Sequence, residues 1–314
     1  MLKTLNRGPQ GVRRTASPAV LAVVLLIGAA GCADSGAADE GALAISPSAA
    51  RQAAAGIYVG TGRLDAIEQK LISTCMRAAG FDYQVLPQQQ DRGVPQDYAD
   101  DVARARTEGY GLAAEQARTA ASIALDEADR DVSPAQQARY REALSGPPDA
   151  ETASARSPLG DVVEASTQGC RAKAWTTLYG SVKNALAFSE FRLNTVRAVL
   201  FRARADSAPV QDALKDWQAC MADRGYPDME DRNSARGLAF VTYDDVDMTQ
   251  AREFELKIAE ADATCDKASG YSEAARPVED EALARFITDH EAEVTAVQEI
   301  QRQAVAAARN TSAE

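Results

Sequence analysis

Cys75-Met76-Arg77-Ala78-Ala79-Gly80-Phe81 and Cys220-Met221-Ala222-Asp223-Arg224-Gly225-Tyr226 are two copies of one pattern, C-M-x-x-x-G followed by an aromatic. Each copy closes a helical stretch, roughly 62–79 and 208–224. A glycine just past a helix end takes the left-handed conformation without a Cβ penalty. In the Schellman arrangement the residue after the glycine folds back on the last turn. The pattern therefore places Phe81 on Met76 and Tyr226 on Met221. It also puts a thiol near each helix end, one residue further back.

Two more cysteines follow, each after one copy. Cys170 falls in the stretch Glu164–Ala174 and Cys265 in Glu253–Ala268, both read as helical. The order suggests two modules, each with one C-M helix and one partner helix. It favours Cys75–Cys170 and Cys220–Cys265 over the two other pairings. No pair has the close C-x-x-C spacing of a zinc or thioredoxin-like site, which argues against metal and redox roles. An even cysteine count outside the cytoplasm points to two disulfides.

The compartment follows from the start of the chain. Lys3, Arg7, Arg13 and Arg14 precede an apolar run, Val20 to Ile27, too short to span a bilayer. Basic start, short apolar core and small-residue exit mark a cleaved export signal. Its end, Ala29-Ala30-Gly31-Cys32, resembles a lipobox, although Ala stands at position 29 where that family prefers Leu. The resemblance implies a signal peptide at 1–31, a lipid on Cys32 and an extracytoplasmic cell-membrane location. The alternative is an ordinary signal peptide with Cys32 free or disulfide-bonded. Arg13-Arg14 lacks the apolar pair of a twin-arginine signal.

Residues 32–56, mostly Ala, Ser, Gly and Asp, read as a flexible tether, and 57–314 as a helical domain with modules at about 57–180 and 181–314. Removing the signal takes four cations away, so the net charge of −12 becomes −16. Such a chain is unsuited to nucleic acid, where Lys and Arg neutralise phosphates. It should also be repelled by an anionic membrane surface, so anchoring would rest on the lipid.

Ala-rich, Gly-poor segments predict an all-α fold with room for a minor β hairpin. Ser133-Pro134 opens a short helix that ends before Gly146-Pro147-Pro148, and 149–160 reads as a loop. Residues 161–205 show a helical core face at Trp175, Leu178, Tyr179, Val182, Leu186, Val196 and Leu200, with Gly180 as a kink or division. Residues 82–98 and 226–243 have no helical period, and Gly237 to Tyr243 is locally strand-like. Residues 277–309 read as one long helix with Leu283, Ile287, His290, Val294 and Val297 on a seam.

Candidates for chemistry are few. His290, the sole histidine, sits on that seam, as a pH-sensitive contact, a single ligand or a core residue. Asp244 to Thr249 fails the EF-hand pattern, with Gln250 and Leu256 where Gly and Glu are needed, and reads as a helix start capped by Asp247 or Asp245. Arg192, Arg197, Arg202 and Arg204 form a basic cluster facing lipid headgroups, an acidic partner or solvent. Gly109-Tyr110-Gly111 either admits a ligand or plugs Tyr110 into the core. No G-x-S-x-G, phosphate loop or S-x-x-K set is present. Catalytic, cofactor and metal residues are therefore expected to be absent.

Together, the lipobox-like start, the Ala-rich tether, the paired C-M-x-x-x-G-[FY] copies and Gly109-Tyr110-Gly111 resemble lipoproteins of actinobacteria. The resemblance brings no catalytic residue and no ligand. The expected function is a non-catalytic envelope scaffold, adaptor or binding protein with an envelope-protein or cell-wall partner. The alternatives are a solute-binding lipoprotein of a transporter, usually an α/β protein, and a hydrolase acting through a carboxylate pair.

Overall fold

In the computed structural model, residues 45–85, 99–130 and 133–311 are described, with the side chains of 122–130 left aside. Among these residues the fold is all-α with one two-stranded hairpin. The helices are α1 (Pro47–Gly56), α2 (Thr61–Ala78), α3 (Val102–Glu108), α4 (Leu112–Arg130), α5 (Pro134–Ser145), α6 (Gly169–Tyr179), α7 (Val182–Glu190), α8 (Val196–Ala205), α9 (Ala208–Asp223), α10 (Arg232–Asp245), α11 (Met248–Ser269), α12 (Tyr271–Asp289) and α13 (Glu291–Thr311). A π-helical turn, Phe191–Thr195, joins α7 to α8. The strands are β1 (Thr152–Arg156) and β2 (Val162–Ser166).

Both copies of the C-M pattern end their helices as the sequence requires. The Phe81 N–H donates to the Met76 carbonyl at 2.9 Å and the Gly80 N–H to that of Arg77 at 3.0 Å. In the second copy Tyr226 donates to Met221 at 2.9 Å and Gly225 to Ala222 at 3.0 Å. Gly80 and Gly225 have φ of 86° and 92°. This is the Schellman pairing twice over. The thiols set by it bond to the expected partners, Cys75 to Cys170 and Cys220 to Cys265, each with Cα atoms 5.6 Å apart.

The two largest of the buried hydrophobic clusters each draw residues from both sides of position 180. One is built by α1, α2, α6, α7, α8, α12 and α13 around Leu64, Phe188, Leu200 and Leu283. The other is built by α4, α9, α10 and α11 around Trp217, Met221 and Ile258. The C-terminal helices α12 and α13 thus complete the N-terminal core, packing on α1 and on α2 and α6. Conversely, α3 packs on α11. The helices interleave: α13 packs on α2 and α6, while α3 and α4 pack on α11.

Five local expectations are corrected, the first being the loop expected at 149–160, where β1 forms instead. Residues 47–56 of the expected tether are helical instead: α1 begins at Pro47, capped by Ser46, and buries Ala50 and Ala54. The stretch Glu164–Ala174 is not one helix. β2 runs to Ser166, pairs antiparallel with β1 in the register Thr152↔Ser166 to Arg156↔Val162, and α6 starts at Gly169. Ala155 of that hairpin is buried in a cluster with Val182 and Leu186, joined by the half-buried Val163, which explains the strand choice. The strand-like run 237–243 is helical, in α10, led by a capping box of Asp231 and Ser234. Its buried positions Arg232, Ala235, Ala239 and Tyr243 are spaced three and four apart. Small and charged residues on the buried face hid that period. The last helix breaks at His290, so that Phe286 and Val294 both enter one core. The stretch 82–98, read as lacking a helical period, falls largely outside the described residues.

Candidate functional site

Cys32 lies outside the described residues. His290 is half-buried at the α12–α13 break, its ring 4.7 Å from that of Phe286. Asp247 caps α11 by accepting from the N–H groups of Thr249 and Gln250, as the helix-start reading requires. Among the described residues, no group of three or more His, Cys, Asp or Glu is placed to hold a metal ion, and no helix is long and apolar enough to cross a membrane.

Gly109-Tyr110-Gly111 leads to the most concentrated polar chemistry among the described residues. The Tyr110 hydroxyl donates to Asp262 Oδ2 at 3.0 Å. Asp262, 0 % exposed, also accepts from the Ala99 N–H at 3.0 Å, Trp217 Nε1 at 2.9 Å and Arg232 Nε at 2.8 Å. Arg232, 3 % exposed, pairs additionally with Asp266 and donates to the Ala99 carbonyl at 2.6 Å. Its guanidinium lies over the rings of Tyr271 and Trp217, 5.1 and 5.8 Å from their centroids. About two turns nearer the start of α11, Glu255 accepts from the Leu112 N–H at 2.9 Å, Tyr243 at 2.5 Å and Arg252 at 2.9 Å.

The electrostatics are those of a structural clamp. Burial pushes the Asp262 carboxyl above its ordinary pKa, and Arg232, the Ala99 N–H and Tyr110 oppose that shift. Burial and the neighbouring Asp262 carboxylate push the Tyr110 phenol well up. Four donors saturate Asp262, leaving no oxygen directed at solvent for acid–base work. The network ties residues 99–112 to α11. Gly109 is part of it: its φ is 59°, and a Cβ there would lie 2.7 Å from Glu255 Oε1. Gly109→Ala is expected to cost about 1–3 kcal/mol, from backbone strain and displacement of Glu255. Urea unfolding of the variant measures it.

Sequence reasoning found Tyr110 but missed Arg232, Glu255, Asp262 and Asp266. A signal existed. The three acids stand at spacings of seven and four on the face of α11 that also carries Ile258, Ala259 and Ala263. Acids on an apolar stripe need a buried cation.

The basic cluster divides by face. Arg192 turns toward Asp65, 3.9 Å away. Arg204 pairs with the buried Glu279 at 2.8 Å, which also holds Arg51 from α1 at 2.8 Å. Arg197 and Arg204 border a cleft of about 470 Å³ between α8 and α10. Phe201, Asn194, Arg236 and Gly237 line it as well, and among the described residues no carboxylate does.

The chain matches no protein-family model, no curated protein and no solved structure.

Proposed function

We propose that this protein is a lipid-anchored lipoprotein of the cell envelope whose helical body serves as a non-catalytic scaffold, adaptor or binding module. The observation that carries the reading is the run Val20–Ile27 ending in Ala29-Ala30-Gly31-Cys32, set before a body stapled by two disulfides. Disulfides suit an oxidising, extracytoplasmic compartment. The buried carboxylates of α11 favour a structural part, since their oxygens are consumed by Arg, Tyr, Trp and backbone donors. A paired-carboxylate hydrolase needs two such groups facing a cleft, and the α8–α10 cleft is lined by Arg and Asn instead. The helical architecture likewise gives no support to an α/β solute-binding protein.

Replacing Cys32 with Ala tests the anchor. Fractionation should find the native protein in membranes and the variant in the soluble fraction. Cross-linking in intact cells should give a discrete higher-mass species for the native protein and lose it in the variant. A variant that stays in the membrane refutes the anchor, and absence of any cross-linked species refutes the binding role.

A further inference from the structure

We infer that the α8–α10 cleft is a binding site for a phosphate group carried on an apolar body. Three cations, Arg197, Arg204 and Arg236, converge on it in a chain of net charge −12. Two are held in place by carboxylates that do not line the cleft: Arg204 by Glu279 and Arg236 by Glu115 of α4. Arginines fixed in this way meet an oxyanion with little ordering cost, and several planar guanidinium forks suit the oxygens of a phosphate.

Gly237 is the second and independent observation. It sits inside α10 in ordinary helical backbone. A Cβ added there meets no atom within 4 Å. Packing therefore does not require glycine, yet glycine inside a helix costs about 1 kcal/mol relative to alanine. The effect of its missing side chain is to keep the cleft wall low. Phe201, which also lines the cleft, is 53 % exposed and adds an apolar surface to the arginines. The π-helical turn Phe191–Thr195 sets Asn194 at the same cleft, and such turns recur at functional sites. The volume of about 470 Å³ fits a small headgroup rather than a folded partner.

The phosphate can belong to a membrane lipid or to a soluble organic phosphate, and one experiment separates them. The Cys32→Ala protein is titrated calorimetrically with phenyl phosphate, with phenol as the neutral control. It is also floated with vesicles of phosphatidylglycerol and of phosphatidylcholine. Phenyl phosphate should bind and phenol should not. Arg197→Gln and Gly237→Leu should each weaken phenyl phosphate by about ten-fold or more, the loss of one charge-assisted contact or of the space. Both positions are exposed, and a melting temperature for Gly237→Leu no lower than native shows that it folds. Flotation with phosphatidylglycerol alone, displaced by phenyl phosphate, assigns the lipid. Phenyl phosphate binding without flotation assigns the soluble ligand. No binding of phenyl phosphate, or binding that neither substitution weakens, overturns the proposal.

Discussion

Arg232→Met is expected to destabilise the protein by about 3–5 kcal/mol, because it leaves two carboxylates buried without their cation. Asp262 is wholly enclosed and Asp266 nearly so, and both bond to this guanidinium. The loss is comparable with the whole stability of a small domain. The Ala99 carbonyl, which also accepts from Arg232, loses its partner too. Neutralising the acids in the same chain, Asp262→Asn with Asp266→Asn, should recover part of the loss. The amide oxygen that Asp262→Asn introduces can still accept from Tyr110 or Trp217, the donors that Asp262 holds in the native protein. Urea unfolding of the single and combined variants measures the coupling. Additive losses would mean that the three side chains do not act as one network.

The two disulfides carry the other large effect. They close loops of 95 and 45 residues, and by loop-closure entropy contribute about 4–5 and about 4 kcal/mol. Converting Cys75 and Cys170 to Ala should therefore cost about 0.7 kcal/mol more than converting Cys220 and Cys265. Each should lower the melting temperature well below the native value. Calorimetry of the two double variants decides it. Equal melting temperatures for native and reduced protein would contradict a stapling role.

Much of this fold was legible because its decisive signals are local. A helix stop needs only a glycine and its neighbours, so Gly80 and Gly225 announced their own conformations. The cysteine pairing followed from chain order once both stops were recognised. What escaped was set by contacts between distant segments. Gly237 to Tyr243 is rich in strand formers, yet it is helical because Ala235 and Ala239 face the second core. The break at His290 exists because α12 and α13 must enter one core from different directions. The two largest buried clusters combine residues from both sides of position 180 for the same reason. The candidate site was the least legible part. Arg232 lies 30 and 34 residues from its acids, and nothing near it in sequence signals that it is buried. Arg236 and Gly237 join Arg197 and Arg204 in one cleft only after α9 has turned the chain back.

The proposed arrangement is a disulfide-stapled helical body displayed at the membrane by lipid on Cys32. Intact-mass spectrometry of the protein extracted from the membrane fraction, with free thiols alkylated before and after reduction, tests it in one measurement. The expected species is a chain beginning at Cys32, heavier than its 283 residues by the lipid. It should take up four alkyl groups after reduction and none before. An unmodified terminus, a start at another residue, or alkylation without reduction would contradict it.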